Sequence, residues 1–391
     1  MKRRLLTLTL LTAALVNGCV LLRAGGNGRN PEVIPCSVYG TDDRQDFYEA
    51  DRIMQKYAES TVALFADTAI PRDEATGGYK LKSATLKGKY NLQDGERYAS
   101  QPVGAYCSGV LVGEDTVLTA GHCFKPHPRG GPCDRVKLVF GYAVTRAGEM
   151  PSAFPAENVY SCKAVLAQKV QDDTTNFTCR NGNCTSNGIM GKGADYALIK
   201  LDRKVSGRYP LAINRGKLGR TTQLAAIGYP NGLPVKVATS GSVRSITGNG
   251  YFVADLDTFG GNSGSPVFNT RTLKIEGILV RGGVDYVYTS GAATVEDPRN
   301  PAPYAPGRTN VYPQDEGRGE DITLIKEVQS LIPQTEMERY LDEAERQRTQ
   351  QVQNPARPVP AIYMPGQEGG AQVQPAIYYA PEPSAPQLIE I

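Results

Sequence analysis

From Thr61 onward the apolar positions fall into short runs rich in β-branched residues, at 62–65, 106–112, 136–140, 196–201, 224–227, 235–238, 251–254, 266–268 and 275–280, separated by Gly, Pro, Asn and Asp. Runs of this length bounded by turn formers predict strands, and many of them at this spacing predict an all-β barrel or sandwich. Helical spacing is confined to the flanks: 46–58, then 321–331 with Ile322, Leu324, Ile325, Val328 and Leu331, and a mainly charged stretch at 336–348. Beyond Arg348 the chain is rich in Pro, Gln and Ala without apolar periodicity, which predicts a disordered tail over 349–391. Within that tail Pro360 to Pro365 is echoed by Pro375 to Pro381. Compositional bias accounts for the echo, and a repeated docking motif for a partner is the functional alternative.

The other end carries a different pattern. Lys2, Arg3 and Arg4 precede an apolar run at 5–16 that is too short to span a bilayer as a mature helix, so 1–18 reads as an export leader. The sequence up to Cys19 resembles the lipobox of bacterial lipoproteins, which implies a lipid on Cys19 and a membrane tether, although Asn17 departs from the small or apolar residue usual there. Ordinary cleavage near Gly18 is the alternative, and either route predicts an extracytoplasmic location: periplasm, cell envelope or secreted. The Gly/Asn-rich stretch 23–30 reads as a tether, and the span 19–60 as tether and possible pro-segment.

Composition narrows the chemistry. The chain of 391 residues has a net charge of +3 and no basic stripe interleaved with aromatics, so nucleic acid is not an expected partner. Its 2 histidines, His122 and His127, are the whole supply of imidazole. Outside the cytoplasm cysteines pair by default, and Cys179 and Cys184 in a Thr/Asn/Gly-rich stretch read as a stapled loop tip, with a zinc site as the competing reading.

Three segments carry chemistry. His122 ends Leu-Thr-Ala-Gly-His-Cys; Asp195 opens the apolar run 196–201; Ser263 sits in Gly-Gly-Asn-Ser-Gly-Ser-Pro-Val at 260–267. A serine hydroxyl needs a base within hydrogen-bond reach, and an imidazole is suited to take and return its proton. An aspartate on the other ring nitrogen fixes the tautomer and stabilises the imidazolium, the logic worked out for chymotrypsin. Glycines before the serine let the N–H groups of Gly261 and Ser263 converge on a developing oxyanion. Asp172 and Asp173 lie nearer His122 in sequence but in a polar loop, and His127 sits between prolines in a loop.

In these motifs, and in their order, the chain resembles the trypsin/chymotrypsin superfamily over about 98–283, and 260–267 looks most similar to its bacterial glutamyl-endopeptidase branch. The resemblance implies a chymotrypsin-like double β-barrel with the cleft between its halves, His122 and Asp195 coming from the first and Ser263 from the second. It also implies a bridge from Cys107 to Cys123 around the histidine loop. The remaining assignment is Cys133 with Cys162 and Cys179 with Cys184, which leaves Cys36 free or intermolecular. Asp257 stands where trypsin-like enzymes place the base of the primary pocket, implying cleavage after Arg or Lys. Thr258 stands where glutamyl endopeptidases hold a substrate carboxylate, implying acidic preference. That branch also has a histidine where this chain has Leu279 or Val280; Arg281 offers a replacement positive charge, or a partner for Asp257.

These expectations divide the chain into leader 1–18, tether and possible pro-segment 19–60, serine peptidase double β-barrel 61–300, helical extension 301–348 and disordered tail 349–391. The predicted activity is a serine endopeptidase acting on protein or peptide substrates, with no metal or cofactor. The rivals are a catalytically silent surface binding protein on the same fold and a processing protease kept as a zymogen.

Overall fold

A computed structural model describes residues 38–124, 131–172, 176–181, 183–186, 191–290, 293–294 and 305–353. The expectations for the leader, Cys19, Cys36, His127, Asp173 and the tail repeat lie outside the described residues.

The β-branched runs form two closed six-strand antiparallel barrels. The first comprises β1 (Thr61–Ala66), β2 (Cys107–Gly113), β3 (Thr116–Thr119), β4 (Val136–Phe140), β5 (Val159–Gln171) and β6 (Tyr196–Leu201). They are ordered β5-β6-β3-β2-β1-β4, and pairing of β4 with β5 closes the ring. The second comprises β7 (Gln223–Gly228), β8 (Lys236–Ile246), β9 (Tyr251–Ala254), β10 (Pro266–Asn269), β11 (Ile275–Arg281) and β12 (Glu320–Leu324). Its order is β7-β10-β11-β12-β9-β8, closed by β7 against β8. Closure removes exposed sheet edges, which explains how so many short strands hold together. This is the double barrel that the family resemblance implies.

The C-terminal stretch differs from its sequence pattern. The stretch 321–331, which reads as a helix, begins as strand β12, pairing with β9 and β11. Ile322 points into the second core while the alternate Asp321 meets Arg281 and Arg318, so period two applies here. The apolar residues that follow, Ile325 and Val328, are buried in tight 3-10 turns. The second barrel therefore extends past 300, and of the extension only the helix Glu336–Gln353 remains.

The described part of the expected pro-segment is built into the fold. Val38–Tyr39 pairs with Val311–Tyr312, and Gln45–Asp46 pairs with β8. The helix predicted over 46–58 starts later, as Arg52–Glu59, where Asp51 caps it by accepting from Ile53 N and Met54 N. Its Tyr57 crosses to the second barrel, packing edge-on against Phe268 at 5.0 Å and donating its hydroxyl to Leu273 O at 2.9 Å.

Candidate active site

The histidine enters from β3. Its turn, Gly121–Phe124, is closely packed: a Cβ on Gly121 would fall 2.5 Å from Lys169 O and 2.9 Å from Asp195 Oδ1. Gln168 on β5 fixes the turn from inside, donating through Nε2 to Gly121 O at 2.7 Å and Phe124 O at 3.0 Å. The disulfide between Cys107 and Cys123 ties it to β2.

Asp195, immediately before β6, is 2% exposed. One carboxylate oxygen accepts from His122 N at 3.0 Å and the other lies 2.7 Å from His122 Nδ1. An ionised carboxylate only accepts, so this geometry calls for a proton on Nδ1 and leaves the Nε2 lone pair available to accept one. The aspartate is itself held by Thr323 of β12: Asp195 N donates to the hydroxyl and the hydroxyl donates to Asp195 O, both at 2.9 Å. Thr323 is a positioning residue that the sequence reading missed, because it lies in the stretch read as helix.

The serine lies on the turn into β10. Ser263 O accepts from Ser108 N at 2.8 Å, and the Cys123 sulfur is 3.7 Å from the same oxygen, which brings the serine turn beside the histidine turn. Gly261 has φ +91°, and a Cβ there would meet Tyr229 O at 2.6 Å, so only glycine fits. The Gly261 and Gly260 carbonyls point away from the serine, accepting from Ser108 Oγ at 2.8 Å and from Asn231 N respectively. Among the described residues neither Gly261 N nor Ser263 N donates a hydrogen bond, and the Ser263 hydroxyl has no partner within 3.5 Å. Two uncommitted N–H groups flank an uncommitted hydroxyl. A serine–histidine bond looser than hydrogen-bond length is common before substrate is bound.

The pocket residues expected from sequence are dispersed. Asp257 turns toward the N-terminal segment, its carboxylate accepting from Tyr39 N at 2.8 Å and Asp43 N at 2.9 Å. Burial pushes it up to about 8, against the pull of those two N–H groups. Leu279 is buried in the second core. Arg281 pairs with Asp321 at 3.0 Å and donates to Gly193 O at 2.8 Å, rather than meeting Asp257 or the cleft. Thr258 donates to Glu320 Oε2 at 2.9 Å. Glu320, which the sequence reading did not single out, is 1% exposed and is pushed up to about 8, chiefly by burial.

The ligand atoms of Cys107, His122 and Cys123 lie within 4.8 Å of one another, but the two sulfurs are bonded together and cannot serve as thiolate ligands. Cys133 is bonded to Cys162. Cys179 is disulfide-bonded and stands opposite Cys184 in hairpin register, which removes it from the zinc reading.

Residues 107–278, less than half of the chain but containing His122, Asp195 and Ser263, match the family model for the trypsin-like peptidase domain. This region is a trypsin-like peptidase domain. No curated relative matches the chain. Among solved structures it is similar to the VesB protease of Vibrio cholerae, at 15% identity and TM-score 0.41, covering 74% of this chain and 66% of that one. A Glu endopeptidase is similar at 18% identity and TM-score 0.37, covering 63% and 87%. The Rv3671c protease of M. tuberculosis, in its inactive form, is similar at 11% identity and TM-score 0.36, covering 76% and 94%. Likenesses this distant add nothing to the site, which stands on the peptidase domain's own geometry.

Proposed function

We propose that this chain is an exported serine endopeptidase in which Ser263 is the nucleophile, His122 the general base and Asp195 its orienting partner. The observation that carries the reading is the Asp195 carboxylate gripping both His122 N and His122 Nδ1, with the two free N–H donors of the serine turn alongside. Ser263 Oγ attacks the scissile carbonyl carbon while His122 Nε2 takes the hydroxyl proton. The carbonyl oxygen becomes an oxyanion received by Gly261 N and Ser263 N, worth on the order of 3 kcal/mol per donor. As the C–N bond breaks, His122 returns the proton to the leaving amine, and an ester remains on Ser263. Water, deprotonated by His122, then releases the acid and restores the serine.

Reaction with a neutral fluorophosphonate, followed by peptide mapping, tests this directly. Labelling confined to Ser263, and lost in Ser263→Ala and His122→Ala, is the expected result. An unlabelled, disulfide-intact protein would point instead to a silent binding module. The paired cysteines support an extracytoplasmic site of action. Metabolic incorporation of a labelled fatty acid, lost in Cys19→Ala, tests the tether.

A further inference from the structure

We propose that Glu320 is the primary-specificity residue of this peptidase and that the substrate side chain it receives is a cation, Lys or Arg, so that cleavage follows basic residues. The proposal rests on Ser263 being the nucleophile. It keeps the basic preference that Asp257 implied but gives it to another residue, because Asp257 is committed to the N-terminal segment and Arg281 to Asp321.

Three segments converge on the Glu320 carboxylate. Thr258, five residues before Ser263, donates its hydroxyl to Oε2, and Tyr39 donates its hydroxyl to Oε1 at 3.2 Å. The third segment is Gly282, which directly follows β11, the strand whose Leu279 O accepts from Gly264 N in the serine turn at 2.7 Å. Gly282 is exposed, yet a Cβ built on it would fall 1.9 Å from Glu320 Oε2. The carboxylate thus lies directly beneath an exposed glycine backbone, with no side chain between. A substrate side chain laid across Gly282 reaches it end-on.

Charge selects the ligand. Both of Glu320's hydrogen-bond partners are neutral hydroxyls, and among the described residues it forms no ion pair within 4.0 Å. The nearby Arg318 is held by Asp321 Oδ2 at 2.6 Å and by Gly319 O at 3.0 Å. A second carboxylate sits at the edge of the same turn: Asp285 accepts from Gly260 N at 2.9 Å, next to Gly261. Buried carboxylates are normally paired. A substrate ammonium or guanidinium supplies the missing partner, while an acidic side chain would bring a like charge against Glu320.

The test compares kcat/KM on matched peptides ending in Lys, Arg, Leu or Glu before the scissile bond, alongside the rate of Ser263 labelling by the neutral fluorophosphonate. Wild-type protein is expected to favour Lys and Arg over Glu by at least about 100-fold, and Glu320→Gln to lose about 100-fold on Lys and Arg. That variant keeps acceptor and donor atoms for Thr258 and Tyr39, and its labelling rate should stay within about threefold of wild type. Inhibition of wild-type labelling by an aryl amidine, but not by its uncharged amide, gives the same answer without a variant. Intact labelling with no basic preference, or with a basic preference unchanged in Glu320→Gln, overturns the proposal and leaves Ser263 standing. Absence of labelling in wild type overturns the nucleophile and this proposal together.

Discussion

The segment that leads into the barrels is pinned by a buried ion pair whose loss has a calculable size. Lys236 Nζ on β8 lies 2.7 Å from Asp46 Oδ1, with side chains 2% and 7% exposed. In Asp46→Ala the ammonium keeps Gln101 Oε1 at 2.8 Å, Pro234 O at 2.9 Å and the Tyr98 ring at 4.5 Å, but no counter-charge at contact distance. Stranding one partner of a buried pair costs about 3–5 kcal/mol. Burial already lowers Lys236 to about 8 with Asp46 present, and without the carboxylate it falls further. A lowered folded-state value means the native protein binds fewer protons than the unfolded chain, so stability from this group rises with pH up to about 10.5. The variant should therefore lose about 3–5 kcal/mol at pH 7, or roughly 6–20 °C in Tm, and less at pH 9.5. Denaturant titrations at both pH values measure this. A deficit below about 1 kcal/mol at pH 7, or one that does not shrink at high pH, would refute the claim that the pair is desolvated.

Three further outcomes follow from the same structure. Asp195→Asn should slow Ser263 phosphonylation by about 10⁴-fold, the size of the chymotrypsin-type effect, with Tm falling much less than in Asp46→Ala; labelling kinetics and a thermal melt separate the two. Gly261→Ala forces a side chain onto φ +91° and against Tyr229 O, so the Gly261 N–H proposed to receive the oxyanion must move. A loss of about 10²–10³ in kcat with little change in KM is expected from steady-state kinetics. Glu320 is raised from 4.5 to about 8, so the native state holds its proton more tightly and stability is lost as pH rises through that interval. Melts of Glu320→Gln should match wild type near pH 4 and lie above it at pH 8.5.

Much of the candidate site was legible because local sequence dictates it. The glycines around Ser263 and the aspartate heading an apolar strand can each be read within a few residues. The strands at 62–65, 106–112, 136–140, 196–201, 224–227, 251–254, 266–268 and 275–280 all recur, within a residue or two, because short β-branched runs between turn formers have few other folds open to them. Strand β5 escaped notice because it is long and mixed in polarity: its half-buried Lys169 faces Glu327 while its neighbour Gln168 turns inward to the histidine turn. Residues 321–324 were misread because Ile322, Leu324, Ile325 and Val328 satisfy helical spacing as well as an alternating strand running into tight turns.

By itself the sequence determined the strand-rich class, the order of His122, Asp195 and Ser263, and the glycines the serine turn requires. Tertiary structure alone decided where the carboxylates go. Asp257 and Glu320 are 63 positions apart in the numbering, and nothing local distinguishes one buried acid from the other. Pairing of β12 with β11 sets Glu320 under Gly282, and the N-terminal segment turns Asp257 away by offering it two backbone N–H groups. A carboxylate's role depends on which donors and charges surround it, and those come from chain segments that only the closed barrels bring together.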